Sequence, residues 1–174
     1  MIKLSPGLSQ NIIIRPRWPS SAVFVDPDVF IRLQQIQAKL PAEVQLILTR
    51  GYEQPHSSLG MLRRIFRQLG IRIFTALYPA RKSEVYDIFG PNGHDVDGTH
   101  IDVSMAIKGR RIRFLRLGVF TPLSWQKQAI KNNFPYMEMV KNALRAADFE
   151  IHKNETESNQ IHCDLIRNNA FVGK

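Results

Sequence analysis

The segment Thr99-His100-Ile101-Asp102-Val103-Ser104-Met105 constrains this chain more than any other. It is β-prone, and side chains two apart on a strand share a face. His100 and Asp102 therefore project together, with Ile101 and Val103 on the opposite side. A carboxylate set between apolar neighbours needs a compensating cation or hydrogen-bond donors, because burying it bare is costly. Whatever the fold, a strand with one apolar and one chemically committed face has to sit here.

The rest of the chain supplies the partners of that strand. Asn11 to Arg15 and Ala22 to Val25 read as short strands, separated by the turn Arg15-Pro16-Arg17-Trp18-Pro19. Asp26 predicts a helix cap, with Pro27 at the first position, where a missing N–H costs nothing. Phe30, Leu33, Ile36 and Leu40 then recur near helical spacing, and Pro41 closes the element. Val44 to Thr49 predicts a buried strand leading to a turn at Gly51. Leu59, Leu62, Phe66 and Leu69 predict a second amphipathic helix stopped by Gly70, followed by a strand over Ile71 to Tyr78. Pro79 to Gly98 has the Pro, Gly, Asn and Asp content of a long functional loop.

After the Thr99 strand, Arg111 to Leu117 alternates imperfectly as another strand, and Ser124 to Asn133 predicts a helix. Pro135 is placed to open the next helix, whose buried stripe is Val140, Ala143, Leu144 and Ala147. Phe149 to His152 and Gln160 to Ile166 read as the last two strands, joined by a polar turn. Neither a repeat nor a linker interrupts this order. The expectation is one α+β domain covering residues 1–174.

Apolar residues make up 44% and charged residues 22% of the chain, as in ordinary globular proteins. No run approaches the roughly 20 apolar residues of a membrane span. Met1 to Gly7 lacks the basic-then-apolar layout of a secretory signal, so a cytoplasmic location is expected, or release by another route. Cys163 is the sole cysteine, which excludes an internal disulfide and suits a small buried strand residue better than a nucleophile. The net charge of +9 is concentrated in part at Lys108, Arg110, Arg111, Arg113 and Arg116. Such a stripe suits nucleic acid or an anionic polymer such as a cell wall, or is simply a solvated basic strand and turn. No helix-turn-helix, zinc-finger spacing or aromatic RNA-binding signature accompanies it.

Three residues could together hold a zinc ion: His94, Asp102 and His162. Two neutral imidazoles and one carboxylate suit a borderline-soft cation and leave one coordination position open for chemistry. His56 and His152 read as surface residues, and Asp95 and Asp97 as turn formers.

The order of these pieces resembles the hedgehog/D-Ala-D-Ala-peptidase fold. The residues that carry the resemblance are Leu48-Thr49-Arg50-Gly51-Tyr52, the stretch His94 to Asp102, Ala143 to Phe149, and Ile161-His162-Cys163. The closing Glu157-Ser158-Asn159-Gln160-Ile161-His162-Cys163 is most similar to the hedgehog version, and residues 22–51 to the dipeptidases. The resemblance spans roughly 22–168. It implies an antiparallel sheet with helices packed on one face, and a Zn²⁺ site at His94, Asp102 and His162. It further implies a metallopeptidase acting on short or peptidoglycan-derived peptides. Glu157 would be the catalytic base, and His100 and Arg50 would line the substrate cleft.

Several positions depart from the family pattern. The family histidine position falls on Asp95, one residue after His94. His100 stands where the family has a small residue, which makes it the alternative imidazole ligand. Asn159 occupies the peptidases' glutamate position, and an amide cannot take a proton from water. A catalytically inactive metal-binding module of the same fold is therefore the rival reading. Glu53, not arginine, follows Tyr52, leaving Arg50 as the nearby cation.

Overall fold

Two largely buried strands form the middle of the sheet. In the computed structural model, which describes residues 1–18, 20–52, 58–85, 89, 98–152 and 161–166 (58–63 by backbone alone), these are β5 (Val44–Arg50) and β6 (His100–Ile107). They pair antiparallel, with Val44 opposite Ile107, Leu46 opposite Met105 and Leu48 opposite Val103. The preceding strands are β1 (Ile2–Leu4), β2 (Gly7–Ser9), β3 (Ile12–Ile14) and β4 (Val23–Val25). Those that follow are β7 (Arg110–Arg111), β8 (Phe149–Ile151) and β9 (His162–Leu165). The main sheet runs β2-β3-β5-β6-β9-β8, with β7 paired to the end of β6, while β1 and β4 form a separate ribbon. Only β3 and β5 are parallel among the described pairs, so the protein is α+β with a mostly antiparallel sheet.

Helices cover one face of that sheet. α1 (Pro27–Lys39) starts as its sequence dictates: the Asp26 carboxylate accepts the Asp28 N–H at 2.9 Å, and Pro27 occupies the first turn. Its Val29, Phe30, Leu33 and Ile36 share one core with Met137, Val140 and Leu144 of the long helix Leu123–Arg145. Leu46 and Leu48, Ile101, Val103 and Met105, and Cys163 meet them from the sheet. Each such side chain contributes about 1.5–3 kcal/mol on burial, so this face holds the fold together. Gln37 ties helix to strand, donating to the Val44 carbonyl at 3.0 Å and accepting the Leu46 N–H at 2.7 Å.

Gly51 lets the chain leave β5 tightly against β4. A Cβ there would stand 2.2 Å from the Phe24 carbonyl oxygen, which the Tyr52 N–H reaches at 2.7 Å. Any side chain at 51 would push β4 away.

Five expectations need correcting. Ile71 to Tyr78 is not a strand: α2 (Ser58–Leu77) passes straight through Gly70. The β-branched Ile71, Ile73 and Thr75 favour a strand locally, but Phe74 is fully buried and packs on Tyr78, Phe89 and Phe120. Tertiary packing overrides propensity here. A Cβ at Gly70 would lie 3.1 Å from the Phe89 ring, so the glycine serves close approach rather than termination. Phe66 and Leu69, expected in the core, are exposed instead.

Pro135 does not open a helix either. It lies inside one continuous element, α3 (Leu123–Arg145), and the buried Met137, Val140 and Leu144 that follow it offset the roughly 3 kcal/mol an interior proline costs. The expected strand over Arg111 to Leu117 is limited to β7, with a 3₁₀ turn at Gly118–Phe120. β1 and β2 were not anticipated, being three residues each.

Candidate metal centre

The face of the sheet away from α1 and α3 carries a cluster of imidazoles and carboxylates. β6 and β9 each contribute a His-x-Asp triplet, His100-Ile101-Asp102 and His162-Cys163-Asp164. Their antiparallel register sets His100 opposite Asp164 and Asp102 opposite His162. Period two places all four on one side, while Ile101 and Cys163 point into the core. Each histidine thus meets an acid from the neighbouring strand.

Nδ1 of His162 hydrogen-bonds Oδ1 of Asp102, and Nδ1 of His100 hydrogen-bonds Oδ1 of Asp164. The remaining ring nitrogens face each other, Nε2 to Nε2 at 2.7 Å, with ring centroids 4.1 Å apart. His152, just past β8, closes the cluster by placing Nε2 3.1 Å from Oδ2 of Asp164. His100, Asp102 and His162 are all buried, whereas Asp164 and His152 are half-buried.

Burial by itself would raise the Asp102 carboxyl. The hydrogen bond from His162, together with the charges of His162, Arg50 and His100, outweighs it and brings the group down to about 2. Burial opposes ionisation of Asp164 as well, and hydrogen bonds from His100 and His152 hold it well below the usual carboxylate range. Both acids are therefore ionised at neutral pH and accept hydrogen bonds, so both Nδ1 atoms act as donors. In neutral rings the two Nε2 atoms then meet as lone pairs. A proton or a metal ion shared between them relieves that repulsion.

His100, Asp102 and His162 each present a ligand atom, all within 4.8 Å of one another. His100, His152 and Asp164 form a second trio of the same reach. A carboxylate that accepts from the other nitrogen of a ligating imidazole is the usual outer layer of a metal site, fixing ring tautomer and orientation. The cluster could hold a metal ion.

The backbone immediately before His162 is strained. Ile161 is buried and β-branched yet has φ of 52°, a left-handed conformation such residues rarely adopt. Its carbonyl accepts the Val103 N–H at 3.1 Å, which locks the turn that delivers His162 to Asp102.

Of the residues singled out from sequence, Asp102 and His162 come together, and His100 joins them as the imidazole partner. Arg50 lies opposite Asp102 across a register shift in β5, and Thr49 donates its hydroxyl to the Asp102 carbonyl at 3.1 Å. His94, Glu157, Asn159 and His56 lie outside the described residues. Cys163 is fully buried, and burial pushes its thiol up, as suits a core residue. His152, read as a surface residue, belongs to the cluster. Asp164 was missed altogether, although the repeated His-x-Asp triplet was available to reveal it.

Comparison with protein-family models, with curated proteins and with solved structures finds no match. Among the described residues no helix is long and apolar enough to cross a membrane.

Proposed function

We propose that this chain is a zinc-dependent peptidase of the hedgehog/D-Ala-D-Ala-peptidase type, acting on short or peptidoglycan-derived peptides. The observation that carries the reading is the convergence of two buried imidazoles, from separate strands, beside Asp102. His100 then serves as an imidazole ligand together with Asp102 and His162. The ion, when bound, would polarise the scissile carbonyl and make water a competent nucleophile near neutral pH.

The protein's own groups do the rest. Asp164 holds His100 in the tautomer that turns Nε2 inward. Glu157, which precedes His162 closely in sequence, takes the proton of the attacking water and gives it to the leaving amine. Arg50, whose backbone lies opposite Asp102, would orient a substrate carboxylate or carbonyl. Asn159 in the peptidases' glutamate position favours a second reading, a metal-binding module without turnover.

Glu157→Gln separates the two. Peptide hydrolysis should fall by about 10²–10⁴-fold with metal content unchanged. A metal-loaded wild type inert toward L,L-, L,D- and D,D-peptides would leave the binding module as the function.

A further inference from the structure

A pocket of about 350 Å³ opens on the same sheet face as the histidine cluster, and Asp102 forms part of its wall. Arg15, Arg17, Arg111, Arg113 and Arg116 line it. They arrive from two places in the chain. Arg15 and Arg17 leave β3 in an extended run whose N–H groups bond the Leu48 and Thr49 carbonyls at 2.9 and 3.0 Å. Arg111 lies in β7 opposite Ala106, and Arg113 and Arg116 follow in the loop before the Gly118 turn.

Five arginines and one aspartate carboxylate line this space. That carboxylate is already engaged by His162. Among the described residues, none of the five arginines has an ion-pair partner. Arg111 is half-buried, and its Nε has no hydrogen-bond partner. Burial and the charges of Arg15, Arg113 and Arg17 all push its guanidinium below the usual arginine range. Clustered like charge of this kind is unfavourable in the protein alone, so it implies an anion that offsets it.

We infer that this pocket binds a phosphate-bearing ligand, held by Arg15, Arg17, Arg111, Arg113 and Arg116 next to Asp102. Guanidinium groups pair with carboxylate or phosphate in bidentate fashion. Phosphate is favoured because each group brings up to two charges and three acceptor oxygens in a small volume. Several arginines can share one or two such groups in a cavity this size. Trp18, also lining the pocket and 78% exposed, offers a flat apolar face to the rest of the molecule. As a subsite for the peptidase, the pocket would select substrates with a phosphate near the scissile bond, and that role rests on the proposed function. Anion binding itself does not.

Calorimetric titration of inorganic pyrophosphate tests the inference, in wild type and in His162→Ala. Both should bind, and Arg111→Gln should weaken each by about 10-fold or more, the effect of one charge-assisted hydrogen-bonded group. Arg116→Gln, at an exposed loop position, is the companion whose folding is not in question, and it should weaken binding in the same direction. Persistence of binding in His162→Ala separates the arginine pocket from chelation by bound metal, so failure of the metal reading would not remove it. Absence of pyrophosphate binding would overturn the inference. So would tighter binding of citrate than of pyrophosphate, which would make the ligand a carboxylate. Affinity for single-stranded oligonucleotides that grows with length and resists pyrophosphate would also overturn it, since the arginines would then form an extended nucleic-acid surface.

Discussion

Along β6, residues 101, 103 and 105 leave the backbone on one side and residues 100, 102 and 104 on the other, and different physics holds each set. The apolar side meets α1 and α3 in a continuous core. The other side holds two imidazoles and two carboxylates, linked across the register of β6 and β9. Hydrophobic burial is non-directional and tolerates repacking. The polar side works only if each donor finds its acceptor. The fold therefore resides on one face and the chemistry on the other, one residue apart.

Placing a charge on the wrong side should give the largest effect. Ile101→Asp puts a carboxylate into the fully buried core that Ile101 shares with Val103 and Leu144 and should cost more than about 4 kcal/mol, enough to unfold many domains. Chemical denaturation would read it, and a cooperative transition near that of wild type would show that the two sides are less distinct than described.

Asp164→Asn leaves the core side intact and removes the charge that holds His100. Metal affinity should fall by about 10–100-fold with little change in stability, as when an outer carboxylate is lost. Unaltered affinity, measured by competition with a chelator, would make Asp164 a bystander.

Acid should reach the polar side before it reaches the core. Asp102 titrates at about 2 in the fold against an ordinary 3.8. Because the folded value is the lower one, its stabilisation is complete above pH 4 and is lost as pH falls from about 4 to about 2. A shift of nearly two units corresponds to about 2 kcal/mol in the metal-free protein. Asp164, held down in the same sense, extends the loss to lower pH. Asp102→Asn should flatten the upper part of that profile, and an unchanged acid limb in this variant would contradict the account.

The sequence disclosed the two sides unequally. Asp26, Pro27 and the Phe30–Ile36 spacing were enough to place α1, and the apolar run Val44 to Thr49 with the alternation over Thr99 to Met105 pointed to the core face. Local preference misled at Ile71 to Tyr78, where burial of Phe74 outweighs three β-branched residues, and at Pro135, where packing on both sides carries one helix through. On the polar side Asp102 and His162 were legible because a carboxylate between Ile101 and Val103 needs a reason and because the segment ending Ile161-His162-Cys163 resembles a known motif. The pairing of His100 with Asp164 depends on strand register, which residue types do not encode. His152 reaches the cluster only because β8 lies alongside β9. The arginines at 15 and 17 lie about a hundred residues from 111, 113 and 116, so the pocket they share was visible in sequence only as a basic stripe.

The most direct test of the central claim is elemental analysis of the purified protein beside His100→Ala and His162→Ala. Wild type should carry about one zinc per chain, and each variant should lose most of it, since one of three protein ligands is gone. His94→Ala should retain the metal if His100 is the second imidazole. Full retention in both His100→Ala and His162→Ala would contradict the assignment of this cluster as a metal centre.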